Sequence, residues 1–326
     1  MMETIDVVNR FDPEQTIEIA KKIQAIGKLL LTGEGSSRIF PAKNAIRKAL
    51  HWGVDLTIIT ESSHQAANYD LSNFAVFCSS NSGRTKEVIS LAKIISGRGN
   101  NNCFALTTNS DTLLEKYCKE TFILKCGWEH AVAATKSVVE QALFYESIIW
   151  KILNKKNKMI EPGLCNKIAN ALTMHLDENI IEAAAKASIV YFAGYNDGVA
   201  EELTLKTNEI TRKKSDYLEG TYAVHGIEEV LEKDDVVFII DPIDEEVDKF
   251  QKVLVDGVGL KVVAISTKQT PFQTIIIPDA GIMNPYLFIC AGWNLLVEIG
   301  LSLGINLDKP KRARKVGNEF DEIATT

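Results

Sequence analysis

Seven residues, Ser79-Ser80-Asn81-Ser82-Gly83-Arg84-Thr85, stand between the apolar stretch "FAVFC" and the helical pattern "KEVISLAKII". They set four hydroxyls and an amide around one glycine. Hydroxyl and amide groups donate hydrogen bonds to phosphate oxygens, and glycine lets the backbone come close to a ligand. The helix that follows would add unpaired N–H groups and the positive end of its dipole, so the loop reads as an anion cradle in which Ser80, Asn81, Ser82 and Thr85 are the donors. The same residue types are the preferred helix caps, a task that needs one of them. A second polar turn, "TGEGSSR", frees the backbone at Gly33 and Gly35 and offers Ser36 and Ser37. It lacks the third glycine of a dinucleotide fingerprint and the Gly-Lys-Ser/Thr of a P-loop, which disfavours a nucleotide.

Acid–base chemistry has its own candidates. In "AEELTLKTNEI", Glu202, Lys206 and Glu209 fall at i, i+4 and i+7, on one face of a predicted helix. A solvated ion pair would use the same spacing. His225 stands before a glycine in "LEGTYAVHG", where an imidazole can move protons near neutral pH. The tail "LDKPKRARKVGNEF" is the dense basic run of an acidic chain; it reads either as a frayed terminus or as a segment whose Lys315 closes over an anionic substrate.

These residues need a scaffold, and the periodicity supplies one. Apolar runs of strand length ("KLLLTG", "VDLTIIT", "NFAVFCS", "NCFALTT", "ETFILK") alternate with helical patterns, the signature of a parallel sheet covered on both faces. After "NKKNKMIEPG" the order begins again with "ASIVYFAG", "DVVFIID", "KVVAIST" and "TIIIPD". The chain therefore reads as two copies of one doubly wound α/β domain, flavodoxin-like or Rossmann-like, over residues 1–160 and 161–326. Where the first copy has its hydroxyl loop, the second has Asp241-Pro242-Ile243-Asp244-Glu245-Glu246, which would repel an anion.

Bulk composition agrees with an ordinary globular protein. The 326 residues are 46% hydrophobic and 24% charged, with a formal net charge of -7. A net acidic surface argues against nucleic acid or an anionic membrane as partner. The start "MMETIDVVNRFDPEQ" is unlike a signal peptide, and no run reaches the ~18 apolar residues of a membrane span, so a cytoplasmic protein is expected. The six cysteines form no C-x-x-C pair and read as free thiols, without a disulfide framework or a metal site. The pattern "TKSVVEQALFYESIIWKIL" is apolar over more than one stripe and suggests burial in a homodimer.

Taken together, these residues resemble the tandem sugar isomerase (SIS) domain proteins, in particular the isomerase half of glutamine:fructose-6-phosphate aminotransferase and glutaminase-free aminosugar-phosphate deaminases and deglycases. The resemblance spans essentially the whole chain. It places the family's Ser-Gln-Ser-Gly-Glu-Thr phosphate loop on Ser80–Thr85, its first glycine turn on Gly35-Ser36-Ser37, and its Val-Ala-Ser-Thr-Lys segment on Val132-Ala133-Ala134-Thr135-Lys136. It further implies that Glu209 shuttles the proton, that His225 opens the sugar ring, and that Lys315 is the C-terminal lysine, with Asp308 and Pro310 in register. Three departures stand out: His225-Gly226-Ile227 replaces His-Gly-Pro, Ala134 replaces a serine, and the tail after the lysine is "VGNEFDEIATT".

The resemblance implies an enzyme without metal or organic cofactor. Its expected substrate is an aminosugar 6-phosphate such as glucosamine 6-phosphate, converted to fructose 6-phosphate and ammonia at the inter-domain cleft. A fructosamine-6-phosphate deglycase or a plain phosphosugar isomerase would use the same residues. A sensor of sugar phosphates is the reading of another class, but such proteins carry a helix-turn-helix domain for which the short N-terminal stretch leaves no room. In the synthase the histidine comes from the neighbouring subunit, so a homodimer with His225 serving the partner's site is expected.

Overall fold

The computed structural model describes residues 1–155 and 158–320. It contains two five-stranded sheets. The first comprises β1 (Lys28–Gly33), β2 (Thr57–Ser62), β3 (Ala75–Ser79), β4 (Cys103–Thr107) and β5 (Glu120–Ile123), in the order β2-β1-β3-β4-β5. The second comprises β6 (Ile189–Gly194), β7 (Lys214–Glu219), β8 (Val236–Ile240), β9 (Lys261–Ser266) and β10 (Gln273–Ile276), in the order β7-β6-β8-β9-β10. The two orders are the same, and all eight strand pairings are parallel. The protein is thus an α/β duplication, as its sequence predicts.

Burial explains which strands were easy to read. Every residue of the central strands β3, β4 and β8 is buried, which is why they appear as unbroken apolar runs. The edge strand β7, "KSDYLE", alternates exposed and half-buried residues and has one fully buried position. It has no apolar run, and the sequence reading has no strand there.

Contacts group the chain into two compact units, and the division differs from 1–160 and 161–326 at both ends. Residues 1–5 belong with 162–311, and the tail from Arg312 belongs with 6–161. The basic tail of the second half is therefore divided, its part from Arg312 on belonging to the first unit.

Two helices organise the cores. In Lys136–Ile152, every residue from Lys136 to Trp150 is buried within the single chain, so the apolar stripes of this helix leave no face for a second copy. The Lys48 ammonium, from helix Ile39–His51, meets the Glu146 carboxylate of this helix at 2.6 Å, both fully enclosed. In the second unit the stretch Gly281–Ser302 is long and apolar enough to cross a membrane by length and composition, which corrects the expectation that no run would be. It is 78% buried and packs against helices Leu164–Thr173, Glu178–Lys186 and Val199–Lys206, the behaviour of a core helix.

Candidate active site

The strand order β2-β1-β3 puts the topological switch point of the first sheet between β1 and β3, where α/β sheets bind ligands beyond the carboxyl ends of the strands. The turns that follow these two strands are the two polar turns of the sequence. A Cβ on Gly33 would lie 2.9 Å from the Ser79 carbonyl oxygen and 3.1 Å from that of Ser37, so only glycine lets the turns close on each other.

Within the first turn Ser80 and Ser82 are buried. The hydroxyls of Ser80 and Thr85 are hydrogen-bonded at 2.9 Å, and the Ser82 oxygen accepts from the Arg84 N–H at 3.2 Å. Thr85 precedes the helix Lys86–Gly97 but its side chain makes no capping bond among the described residues, so capping does not account for this hydroxyl. The Asn81 carbonyl is held by Thr108 Oγ1 at 2.7 Å and Asn109 Nδ2 at 3.1 Å. Its side-chain Oδ1 is buried without a hydrogen-bond partner among the described residues. Gly83 has φ +65°, and a Cβ there would come within 2.5 Å of the Thr112 side chain. The glycine is thus required by packing against Thr112 as well as by its backbone conformation.

Ser36 and Ser37 lie half-buried in a 3-10 turn, Gly35–Ser37. Gln141 Nε2 donates both to the Ser37 carbonyl, at 2.7 Å, and to Ser79 Oγ, which also bonds the Tyr145 hydroxyl at 2.9 Å. One buried helix therefore pins the ends of both turns. Gln141 belongs to none of the motifs, although an amide inside the apolar pattern "VVEQALF" is a signal for a buried polar contact.

Glu34 is a second residue that the donor pattern of the turns does not single out. It belongs to the turn after β1 and accepts a hydrogen bond from the Ser63 N–H at 2.9 Å. Burial raises its pKa above the usual carboxylate value, against the opposing effect of the Ser63 bond; the neighbouring Glu87 carboxylate pushes the same way as burial. Charging this carboxyl group is therefore harder than for an exposed glutamate, and a bound anion nearby would oppose the charge further.

The segment holding Val132 and Ala133 is folded around Glu129. One oxygen of that buried carboxylate accepts from the N–H groups of Thr135 and Ser137 and from the Ser137 hydroxyl, at 2.8–2.9 Å. It thereby satisfies the open N-terminus of the helix Lys136–Ile152. Val132 and Ala133 are half-buried.

Lys315 comes to this same segment. Its ammonium donates to the Ala131 carbonyl at 2.7 Å. Further along, the tail lies against the hydroxyl turn: Lys86 N–H donates to Asn318 O, Phe320 N–H to Arg84 O, each at 3.0 Å, and Thr85 pairs with Glu319 in an antiparallel bridge. A cavity of about 360 Å³ opens between the turn and the tail, with Ser82, Arg84, Trp128 and Phe320 among its walls.

In the second unit the helix Val199–Lys206 starts after β6 and continues as a π-helical turn, Thr207–Thr211, which Arg212 ends in the left-handed conformation. Such turns recur at functional sites. The structure unites the three residues that the spacing singled out: Lys206 lies 3.2 Å from Glu202 and 2.7 Å from Glu209. Lys206 and Glu202 are fully buried, whereas Glu209 keeps 23% of its side chain exposed. Burial pulls the pKa of Lys206 down, but the two carboxylates outweigh it and leave the ammonium above its ordinary value. The group is therefore a buried cation that fixes a reachable carboxylate. Gly292 sets the distance between this helix and Asn284–Ser302, since a Cβ there would strike the Leu203 side chain at 2.3 Å.

His225 is not part of that group. It is exposed between two 3-10 turns, Tyr222–Val224 and Ile227–Glu229, with Lys249 Nζ 3.4 Å from its Nε2. The turn after β8 is acidic as predicted; its Asp244 is paired with Lys268.

No family model and no curated protein matches the sequence. Solved structures match over nearly the full chain. The C-terminal domain of glucosamine-fructose-6-phosphate aminotransferase from Francisella tularensis is 20% identical, with TM-score 0.73, over 95% of this chain and 94% of that one. Tagatose-6-phosphate ketose/aldose isomerase from Escherichia coli is 16% identical, with TM-score 0.72, over 94% and 95%. Glucosamine-6-phosphate deaminase from Thermotoga maritima is 18% identical, with TM-score 0.69, over 96% and 98%. With two sheets of one strand order and these likenesses end to end, the chain has the tandem sugar isomerase (SIS) fold.

Proposed function

We propose that the protein is a phosphosugar isomerase of the deaminase type, taking an aminosugar 6-phosphate such as glucosamine 6-phosphate to fructose 6-phosphate and ammonia. The observation that carries this reading is the hydroxyl turn at the β1/β3 switch point: its serines are buried, its threonine hydroxyl faces inward to Ser80, and an unpartnered Asn81 oxygen lies among them. Ser80, Ser82 and Thr85 hold the phosphate, and Asn81 Oδ1 accepts from a sugar hydroxyl.

The chemistry falls to Glu209. With the ring opened by His225, the Glu209 carboxylate takes the proton from C2 and returns it to C1 through an enolamine. The resulting C2 imine adds water and releases ammonia, so the substrate and one water give the ketose phosphate and one ammonia. Lys206 holds the Glu209 carboxylate in place for the first step. Lys315 stabilises charge on the substrate oxygen. The structures of similar fold include both a deaminase and a ketose/aldose isomerase, and isomerisation without amine loss is the second reading, since it uses the same proton transfer.

Thermal unfolding tests the binding half of this proposal. Glucosamine 6-phosphate and fructose 6-phosphate are expected to raise the midpoint, unphosphorylated glucosamine to leave it unchanged, and Ser82→Ala to weaken the protection. Equal protection by glucosamine and its phosphate would remove the turn from the site.

A further inference from the structure

The sequence spacing of the cysteines predicts isolated thiols, but strand pairing brings three of them together. Cys78 lies on β3 and Cys103 on the adjacent β4, and Cys118 ends the short helix Leu113–Tyr117 that leads into β5. The Cys78 and Cys103 sulfurs are 3.7 Å apart, those of Cys103 and Cys118 3.6 Å, and all three lie within 4.8 Å of one another. Residues 25 and 15 positions apart in the chain thus present three soft donors to one point.

The spacing has a chemical meaning. Three thiolates around one ion at the usual metal–sulfur distance of about 2.3 Å have sulfurs about 3.8 Å apart in pyramidal and about 4.0 Å apart in planar geometry. Two of the three sulfur pairs stand close to that separation, and the third lies within 4.8 Å. Around them are apolar side chains of the same core, including Val76, Ala105 and Leu114. No fourth histidine, cysteine or carboxylate joins the group among the described residues. Zinc in a closed site takes four ligands, whereas a soft monovalent d10 ion is content with fewer, all of them sulfur. Cys78 and Cys103 are buried and Cys118 is half-buried, so entry is from the Cys118 side.

We infer that Cys78, Cys103 and Cys118 form a three-sulfur binding site for a soft monovalent metal ion, with Cu(I) as the fitting occupant. The site is separate from the proton-transfer group and does not depend on the proposed reaction. Cys78 is followed directly by Ser79 and the hydroxyl turn, so an ion here ties β3, β4 and the approach to β5 together beneath that turn.

The test is a competition titration on the full-length, fully reduced protein without oxygen, with Cu(I) supplied as its complex with bicinchoninate. The protein is expected to withdraw one equivalent of Cu(I) per chain. Cys103→Ala removes the sulfur common to both short contacts, and Cys118→Ala removes the half-buried one, where the fold is least at risk. Each is expected to weaken binding by at least the roughly 10–100-fold that losing a mere supporting group costs a metal site. Cys290→Ala, a buried thiol on the core helix of the second unit, serves as the control and should bind as the parent does. Circular dichroism of each variant shows whether it is folded. Uptake no greater than that of a folded Cys78→Ala/Cys103→Ala/Cys118→Ala protein would overturn the site, and retention of Zn²⁺ in preference to Cu(I) would overturn its occupant.

Discussion

At Glu34 a carboxyl group stands within one of the two turns that are to hold an anion, and its raised pKa reports the cost of charging it there. A raised value means that the folded state binds this proton more tightly than the unfolded chain. The associated stability is fully present below the ordinary glutamic pKa and is lost as pH rises through the raised one. Ligand binding should follow the same sign. Glu34→Gln keeps an acceptor for the Ser63 N–H and removes the charge, so it is expected to bind glucosamine 6-phosphate more tightly than the parent at neutral pH. That advantage should shrink as pH falls through the Glu34 transition, as read by calorimetry across the acid range. Ser82→Ala should raise KM by about 10–100-fold, the value of a hydrogen bond to a charged group, with a smaller change in kcat. At this scale the sequence told much: the serines and the Glu202–Lys206–Glu209 spacing were visible in it. Glu34, Glu129 and Gln141 were not singled out, because their importance lies in which distant N–H or carbonyl they reach.

At the scale of elements, two packing contacts hold the sites in place. Gly292→Ala would drive a methyl group into Leu203 and displace the helix that carries Glu202 and Lys206. Chemical denaturation should show a loss of about 1–3 kcal/mol, the usual cost of overpacking. Lys48→Met removes the ammonium bonded to the buried Glu146 carboxylate and is expected to cost about 3–5 kcal/mol. The double change Lys48→Met/Glu146→Leu should recover much of that loss. Central strands such as β3 and β8 were legible because both of their faces are buried, which writes burial into the sequence as a run. The edge strand β7 was not, since its exposed charges carry no such run. The convergence of Cys78, Cys103 and Cys118 escaped for a related reason: register between strands, rather than spacing along the chain, brings the sulfurs together.

For the whole molecule, the duplication was legible because both halves repeat one order of elements, whereas the return of the tail to the first unit was not, since nothing in its composition names the turn it pairs with. The backbone bonds of Asn318 and Phe320 to Lys86 and Arg84 make the tail a strap over the hydroxyl turn. The exposed position of His225, away from Glu209's bonded group, fits the proposal that it serves a second subunit. On that proposal, mixing the impaired Glu209→Gln and His225→Ala proteins restores part of the turnover through hybrid dimers; no recovery would place both residues in one subunit's site. The central claim is proton transfer by Glu209 on a phosphorylated aminosugar. Its most direct test is to incubate the protein with glucosamine 6-phosphate and measure ammonia and fructose 6-phosphate together, beside Glu209→Gln. The account predicts equal amounts of both products and a fall of about 10²–10⁴-fold in kcat for the variant, with ligand protection retained. Normal turnover by Glu209→Gln would contradict it.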